Sequence, residues 1–434
     1  ELFRVLSREI QKQNLQNVFD LETNLFPCLV DMRFNGVRVD VERAHTLKQK
    51  LVGEEEELLL QVKKETGIET QIWAARSIAQ VFDKLSLPYS RTLKSNAPSF
   101  TKNFLKEHPH PLVQKIAKAR EINKAHTTFI DTILKHEHKG RIHADINPIK
   151  SDQGGTVTGR FSYSNPNLQQ IPARNKDLGP MIRGLFIPEK DCKWGCFDYS
   201  QQEPRLVVHY AATTEPICFN DSVTKIVEKF KHDSVDFHQT VADMANISRS
   251  QAKTINLGLF YGMGKAKLQA ELGLNTKQEA EDLFDQYHDK VPFVRELMNR
   301  TSSFAQTSGS IGTLLGRKCR FDKWEPATFG MHTPMTLEEA ERTYGRGRIR
   351  RAFTYKALNK LIQGSAADMT KKAMLDLYRE GIIPHIQIHD ELDLSVESPE
   401  RAKKIIEIME NAVTLKVPNK VDYESGETWG DIYD

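Results

Sequence analysis

Two aspartates lie far apart in the chain, and each is next to an apolar run. Asp198 follows the segment 194–197, and Asp390 lies inside 386–396, where apolar and polar residues alternate. A carboxylate held beside a hydrophobic core needs a partner, because its bare burial is costly. Mg²⁺ binds few carboxylates together with waters and phosphates, so two aspartates suffice for it. Either aspartate alone is more often a turn or cap residue, but the pair predicts a metal site.

A cationic helix is predicted between the two aspartates. Arg249, Lys253, Leu257 and Tyr261 recur at every fourth position and form one stripe on a helix. The stripe changes from cationic to apolar to aromatic, which suits a triphosphate at one end and a base at the other. A surface helix with two ordinary basic residues is the alternative, and it explains the apolar stretch 255–261 less well. Together with the aspartates, the stripe indicates in-line phosphoryl transfer.

Local patterns predict how the aspartates are positioned. A short apolar strand ends at Asp198, and the alternation in 386–396 predicts another strand. A turn around 389–391 places Asp390 at its tip. The sequence therefore predicts a small sheet whose strands come from distant parts of the chain.

Helical blocks are predicted before and within this sheet. The segment 41–140 is rich in charged residues at helical spacing, with Gly67 ending its first helix and a basic amphipathic helix at 115–134. A polar loop at 92–99 separates its parts, and 212–345 is again mostly helical. The predicted fold class is α+β.

Composition sets wider limits on the protein. With 434 residues, 39% hydrophobic and 27% charged, two or three subdomains are expected. No apolar run approaches the roughly 18 residues of a membrane span. Five cysteines without a regular spacing favour a reducing, intracellular compartment, cytoplasmic or organellar. The net charge is only +3, but basic residues cluster at 115–141 and 342–351, which indicates either contact with a polyanion or a solvated face.

Two tempting sites are rejected. His136 and His138 flank Glu137, but no second ligand pair lies nearby, so a zinc site is not predicted. Asp20 and Glu22 resemble the start of a proofreading exonuclease, yet such a site needs further acidic residues on a separate domain. An exonuclease domain upstream of Glu1 remains an open possibility.

The motifs around these residues closely resemble those of family A DNA polymerases, the bacterial DNA polymerase I-like group. The segment 198–205 resembles motif A, 249–262 resembles motif B, and 389–391 resembles motif C. The resemblance covers nearly the whole chain in the expected order, with further matches at 34–40, 158–162, 167–172 and 363–368.

The resemblance implies a right-hand fold with a palm sheet, helical fingers and a helical thumb. The palm would combine 1–40, 141–211 and 346–434. The thumb would be 41–140 and the fingers 212–345. The implied function is the 5′–3′ addition of dNTPs to a primer end on a DNA template.

The resemblance also implies residue roles. Asp198, Asp390 and the backbone carbonyl of Tyr199 would hold two Mg²⁺ ions, and Lys253 would assist the reaction. Glu203 would exclude a 2′-hydroxyl. The residues expected to contact the incoming dNTP are Gln201, Glu203, His238, Arg249, Lys253, Leu257 and Tyr261. The residues expected to contact primer–template DNA are Lys94, Ser95, Arg160, Asn167, Gln169, Asn359, Gln363 and His389.

Four positions and one segment depart from the family pattern. Gln202 and Pro204 replace aliphatic residues of motif A, and Pro204 is expected to alter the turn into the next helix because proline lacks a backbone donor. Leu257 replaces an aromatic residue and lacks a polar atom, which predicts discrimination against dideoxynucleotides. Tyr355 stands where many members have Arg, and 321–344 is longer than usual, without an assigned role. The unusual motif A and Leu257 suggest a phage or plasmid-like origin.

Two rival functions use the same fold. A catalytically inactive DNA-binding clamp would be favoured by loss of either aspartate, and both are present. A single-subunit RNA polymerase is disfavoured by Glu203 and by the matches at 158–160 and 363–368.

Overall fold

The computed structural model describes residues 1–152, 154–173, 175–214, 221–232, 236–260, 265–328 and 330–432. The described residues combine helices with short strands, so the predicted α+β class is confirmed. None of the described helices is long and apolar enough to cross a membrane.

The first third of the chain is mainly helical. Asp40 caps α3 by accepting a hydrogen bond from the Arg43 backbone, and Gly67 ends this helix with φ 75°, as predicted. The helical region from 111 to 136 contains a π-helical turn, Ala125–Ile130, inside the predicted basic helix. The elements are α1 (Leu2–Lys12), α2 (Gln16–Asn35), β1 (Val37–Arg38), α3 (Val41–Thr66), α4 (Ala75–Lys84), β2 (Ser90–Arg91), β3 (Pro98–Ser99), α5 (Lys102–Glu107), α6 (Pro111–Lys124) and α7 (Asp131–His136).

A separate hydrophobic core lies within these helices. Its buried residues all fall between Val62 and Ala119, and Phe82 at its centre packs against Phe100 and Phe104. The predicted polar loop 92–99 covers the connection between β2 and β3, and its last two residues form β3 itself. This segment therefore buries its own apolar surface, as a distinct structural unit does.

The next part of the chain leads to the central sheet. Its elements are β4 (Glu137–His138), β5 (Arg141–Ile142), β6 (Asp145–Asn147), β7 (Ser162–Ser164), the 3₁₀ turn Leu168–Gln170, α8 (Leu178–Arg183), β8 (Lys193–Tyr199) and α9 (Gln202–Thr213).

The described residues between 221 and 344 are mostly helical, as predicted. Their elements are α10 (Asp221–His232), α11 (Phe237–Ala245), α12 (Arg249–Phe260), α13 (Lys265–Leu272), α14 (Lys277–Lys290), α15 (Pro292–Ser308), β9 (Ser310–Gly312), β10 (Lys318–Arg320), β11 (Trp324–Pro326) and α16 (Leu337–Tyr344).

The C-terminal part completes the central sheet. Its elements are the 3₁₀ turn Arg346–Arg348, β12 (Ile349–Arg351), the 3₁₀ turn Thr354–Lys356, α17 (Ala357–Arg379), β13 (Ile386–Ile388), β14 (Glu391–Val396), α18 (Pro399–Asn411), β15 (Val421–Gly426) and the 3₁₀ turn Trp429–Ile432. The four-stranded sheet has the order β13-β14-β8-β15, with all neighbours antiparallel. Strands from residues near 195, 390 and 420 thus form one sheet, which is the split sheet that the sequence predicts.

Candidate active site

The central sheet brings the two predicted aspartates together. Asp198 pairs with Glu391 in the β8–β14 register, and Asp390 lies in the turn between β13 and β14. The backbone N–H of Tyr199 donates to the carbonyl of Asp390 at 3.2 Å. His389, with φ 58°, makes the tight turn that the sequence predicts at 389–391. Both carboxylates therefore lie at the same end of the sheet.

The electrostatic environment of these two carboxylates favours the binding of a cation. Burial, with the negative charge of Asp390 next in weight, raises the pKa of Asp198 to about 8. Burial also raises the pKa of Asp390 to about 6. The Oδ1 atom of Asp198 is buried without a hydrogen-bond partner among the described residues. A buried oxygen without a donor, beside a second carboxylate, fits a divalent cation, which would favour the charged form of both groups.

A third carboxylate behind the pair was missed by the sequence analysis. Asp393 is fully buried, accepts a hydrogen bond from Trp194 Nε1 at 2.9 Å, and has its pKa raised well above the usual range by burial. One carboxylate oxygen of Asp393, one of Glu391 and the Sγ of Cys196 lie within 4.8 Å of one another. The alternation in 386–396 predicts one buried face, but both faces of β14 are covered. An aspartate inside a predicted strand was the available signal, and in the structure it lies opposite Cys196 of β8.

Glu203 and Arg160 contact each other. Arg160 Nη2 donates to Glu203 Oε1 at 2.7 Å, and the two side chains are only 18% and 13% exposed. The sequence analysis places Glu203 against the sugar and Arg160 in the minor groove. The structure adds that one ion pair holds both side chains near the start of α9.

The two departures in motif A lie in the first turn of α9. Pro204 is the third residue of α9, where a backbone N–H has no acceptor within the helix, so its missing donor removes no helical hydrogen bond. Gln202 is buried, and its Nε2 donates to Thr370 Oγ1 of α17 at 3.2 Å. Gln201 adopts φ 53° and accepts a hydrogen bond from the Phe237 backbone at 2.7 Å, which links α9 to α11.

The predicted cationic helix exists as α12, which begins at Arg249. Arg249 Nε donates to Asp236 Oδ2 at 2.6 Å, and Lys253 is exposed one turn further along. His238 lies on the neighbouring helix α11, 3.1 Å from Asn256 Nδ2, and burial lowers its pKa. The structure thus brings two predicted cations and His238 to adjacent helices. The side chain of Leu257 and all of Tyr261 lie outside the described residues.

Apart from Arg160 and His389, the residues expected to contact DNA fall into three groups. Asn359 and Gln363 are half-buried one turn apart on α17, while Lys94 and Ser95 are exposed between β2 and β3. Asn167 caps the 3₁₀ turn that carries Gln169.

Gln387 connects one of these groups to the turn at 389–391, and the sequence analysis did not identify it. Gln169 Nε2 donates to the Gln387 carbonyl at 3.1 Å, and Gln387 Nε2 donates to the His389 carbonyl at 2.7 Å. His389 itself is exposed. A chain of hydrogen bonds therefore supports the turn that holds Asp390.

A buried charge network supports the loop that carries Arg160. Arg317 bonds to Glu22 at 2.6 Å and to Asp368 at 2.9 Å, and Lys371 bonds to Glu22 at 2.7 Å. A Cβ added to Gly159 would lie 2.7 Å from Arg317 Nε, so a glycine is needed there. Glu22 therefore has a structural role in α2, which agrees with the rejection of an exonuclease motif at 20–23.

Comparisons with known proteins agree on one family. Residues 41–431 match DNA polymerase family A. A DNA-directed DNA polymerase of Pseudomonas phage M6 is 33% identical, over 99% of this chain and 68% of that protein. DNA polymerase I of Geobacillus stearothermophilus is 33% identical, over 95% of this chain and 46% of that protein.

A solved structure confirms the architecture. The POL domain of Pol1 from M. smegmatis, in complex with DNA primer-template and dNTP, matches with a TM-score of 0.78 and 25% identity over 99% of this chain and 74% of that one. The predicted right-hand polymerase fold is therefore confirmed. The chain belongs to DNA polymerase family A.

Proposed function

We propose that this chain catalyses template-directed DNA synthesis by adding dNTPs to the 3′ end of a primer. The observation that carries the proposal is the pair of buried carboxylates, Asp198 and Asp390, at one end of the central sheet. The phage relative is named a DNA-directed DNA polymerase, and the structural neighbour was solved with primer-template and dNTP. A two-carboxylate site next to a cationic helix supplies what nucleotidyl transfer needs.

Asp198 and Asp390 are proposed to bind two Mg²⁺ ions together with the backbone carbonyl of Tyr199. The buried, unpartnered Oδ1 of Asp198 provides a ligand atom that no described protein group satisfies. When bound, the ions would stabilise charge on the attacking and leaving oxygens. Gln387 and Gln169 hold the turn of Asp390 in place through their hydrogen bonds.

The incoming dNTP is proposed to lie along α12. Arg249 and Lys253 would bind its triphosphate, and His238 would assist as a neutral imidazole, since burial lowers its pKa. Leu257 and Tyr261 would face the sugar and the templating position, Glu203 would occupy the space of a 2′-hydroxyl, and Gln201 would hold α11 against α9 through its bond to Phe237.

The DNA duplex is proposed to be bound by the thumb, 41–140, and the palm, 1–40, 141–211 and 346–434, with the fingers at 212–345. The separate core between Val62 and Ala119 supports a distinct thumb, while Ala44, Leu51 and Ile133 near its two ends pack into the main core. Lys94 and Ser95 would contact the backbone, and Arg160, Asn359 and Gln363 would contact the minor groove. Asn167, Gln169 and His389 would lie at the primer end.

The proposal is tested by Asp198→Ala and Asp390→Ala. Each should lower single-nucleotide incorporation at least about a hundredfold, because stabilisation by the metal ions is worth several kcal/mol. The dissociation constant for primer–template should change by no more than about threefold, since DNA affinity depends on many phosphate contacts.

The matched control is Asp422→Ala, which removes the carboxylate opposite Asp198 on β15. It should retain incorporation within about threefold. Substantial incorporation by either aspartate variant at saturating Mg²⁺ would contradict the proposal.

A further inference from the structure

Four charged side chains are withdrawn from water together, next to the loop that carries Arg160. Glu22 lies on α2, and Arg317 lies just before β10. Asp368 and Lys371 lie one turn apart on α17. The four side chains, in this order, are only 23%, 15%, 0% and 1% exposed. Charges in such surroundings need close partners of opposite sign. We call these four residues the buried charge network.

Glu22 joins the two cations of the network. Its Oε1 atom accepts hydrogen bonds from Arg317 Nη2 at 2.6 Å and from Lys371 Nζ at 2.7 Å. Arg317 Nε also donates to Asp368 Oδ1 at 2.9 Å, so the guanidinium is held between two carboxylates. A planar guanidinium that is bonded on two sides has a fixed orientation. Loss of Glu22 would release one side of Arg317 and would leave Lys371 without the carboxylate that it contacts.

Both cations contact residues that flank Arg160. A Cβ added to Gly159, whose φ is 85°, would lie 2.7 Å from Arg317 Nε, so the backbone of the loop packs directly against the guanidinium. On the other side, Lys371 Nζ lies 4.5 Å from the ring centroid of Phe161, which is itself buried. The network therefore places both neighbours of Arg160 in the chain.

Arg160 connects this loop to the candidate active site. Its Nη2 donates to Glu203 Oε1 at 2.7 Å. Burial raises the pKa of Asp390, and the positive charge of Arg160 opposes that rise, so the guanidinium acts on the metal site as well. The Arg160 side chain is only 18% exposed and has little room to adjust. A displacement of the loop 159–161 would therefore also displace the carboxylate of Glu203.

We propose that Glu22 and Arg317 are positioning residues for the selection of the nucleotide sugar. They would hold the loop 159–161 so that Arg160 keeps Glu203 in the space of a 2′-hydroxyl. Neither of the two would contact the nucleotide. This inference rests on the proposed function, since it assumes that Glu203 excludes the ribonucleotide. It gives α2, which supplies none of the proposed nucleotide contacts, a part in substrate choice.

The test measures kcat/KM for a matched rNTP and for the matched dNTP in single-nucleotide incorporation on the full chain. Their ratio does not depend on the folded fraction, because unfolded protein lowers both values equally. Glu22→Ala should raise the ratio of rNTP to dNTP at least about fivefold. Glu22→Gln should keep it within about twofold, because the amide oxygen can still accept from both cations. A merely structural role of Glu22 would leave the ratio unchanged.

Arg317→Lys tests the same positioning without a change in buried charge. Lysine has one compact ammonium instead of a forked guanidinium, so it cannot bond to Glu22 and Asp368 in the same geometry. This variant should raise the ratio at least about threefold. It also decides the question if Glu22→Ala gives too little folded protein to measure.

The matched control is Glu189→Ala, which breaks another ion pair between distant segments. Glu189 accepts hydrogen bonds from Arg141 Nη1 at 2.6 Å and from Nη2 at 2.8 Å. Within the described structure, neither residue is bonded to the loop 159–161. Glu189→Ala should therefore leave the ratio within about twofold, even where it lowers the stability of the protein.

A double-mutant cycle shows whether Glu22 acts through Glu203. In Glu203→Ala the proposed barrier is already absent, so adding Glu22→Ala should raise the ratio by no more than about 1.5-fold. Additive effects of the two changes would mean that Glu22 acts on the sugar by another route.

Three results would overturn the inference. They are an unchanged ratio in folded Glu22→Ala or Arg317→Lys protein, an equal rise in Glu189→Ala, and additive effects in the double-mutant cycle. The incorporation of dNTP by the unaltered protein is measured alongside. Its absence would count against the proposed function, whereas intact dNTP incorporation with an unchanged ratio in the variants would count against the positioning role alone.

Discussion

At the scale of single residues, the ion pair of Arg160 and Glu203 determines what each side chain can do. Both side chains are largely withdrawn from water, so removing one leaves the other with an uncompensated charge. The Nε of Arg160 is already buried without a partner among the described residues. Glu203 is thus held in a fixed position, which is what a steric barrier to a 2′-hydroxyl requires.

Glu203→Ala should admit ribonucleotides. It removes the proposed barrier, so the ratio of kcat/KM for rNTP to that for dNTP should rise at least about tenfold. Glu203→Gln keeps the shape and a hydrogen bond to Arg160, so it should leave the ratio within about threefold. Steady-state or single-turnover incorporation of matched rNTP and dNTP measures both.

Two outcomes would change the assignment. An unchanged ratio in Glu203→Ala would move sugar selection to another residue. An equal rise in Glu203→Gln would show that the charge of Glu203, and not its volume, excludes the ribonucleotide.

At the scale of elements, α12 shows how an exposed cation and a paired cation can share one helix face. Arg249 is held by Asp236, whereas Lys253 forms no ion pair with a described residue and is exposed. A triphosphate would have to compete with Asp236 for Arg249. Lys253 has no such ion pair to break, so a triphosphate could bind it without displacing a carboxylate.

Lys253→Ala and Arg249→Ala should each lower kcat/KM for dNTP at least about tenfold. Each removes a charge-assisted contact to the triphosphate, worth roughly 1.5–3 kcal/mol. Primer–template affinity should stay within about twofold. The control is Lys277→Ala on α14, an exposed lysine that pairs only with Glu281 in the described chain. Weakened DNA binding with unchanged dNTP dependence would reassign α12 to the DNA.

The elements that could be predicted are those with local signals. Gly67 ends α3, apolar residues precede Asp198, and alternation with a turn places Asp390, and each feature is encoded within a few neighbouring residues. The charge partners were not predictable in this way. Glu22 meets Arg317 and Lys371 across about 300 residues of sequence, and only tertiary packing determines such pairs.

In the candidate site too, the contacts that depend on tertiary packing could not be predicted from the sequence. The residue types and spacing of Asp198, Asp390 and α12 led to their proposed chemistry, because a carboxylate next to an apolar run and two cations one helical turn apart are local signals. Gln387 on β13 and Asp393 on β14 lie on strands whose second faces are buried by other elements. The pairing of Arg160 with Glu203 likewise depends on the loop at Gly159, which Arg317 contacts.

At the scale of the whole molecule, negative charge is concentrated on one sheet although the chain has a net charge of +3. Asp198 is surrounded by Asp390, Glu391, Asp422 and Glu424, which all act to raise its pKa. Asp393 lies beneath them with a pKa also raised by burial. Without a cation, the fold therefore holds carboxylates that favour their protonated form. Metal binding and the stability of the whole fold should be linked through this sheet.

The metal-free protein should lose stability as the pH rises from about 5 to 8. The pKa values of Asp390 and Asp198 are about 6 and 8, above the usual 3.8, so the folded protein keeps protons that the unfolded chain has lost. The free energy of unfolding must then fall with rising pH. Asp198→Asn should therefore stabilise the EDTA-treated protein by more than about 1 kcal/mol at pH 8, and by much less at pH 5.

Mg²⁺ should act in the opposite direction and only on the unaltered site. Mg²⁺ binding should raise the free energy of unfolding more at pH 8 than at pH 5. At pH 8 the aspartates release fewer protons when the cation binds. Asp198→Asn should lose most of this gain, while Asp422→Asn should keep it. Urea unfolding at both pH values, with EDTA or with Mg²⁺, measures all three proteins. Two results would contradict this account: a free energy of unfolding that does not change with pH, or an equal gain from Mg²⁺ in Asp198→Asn. Either would show that Mg²⁺ does not act by relieving repulsion between the carboxylates of this sheet.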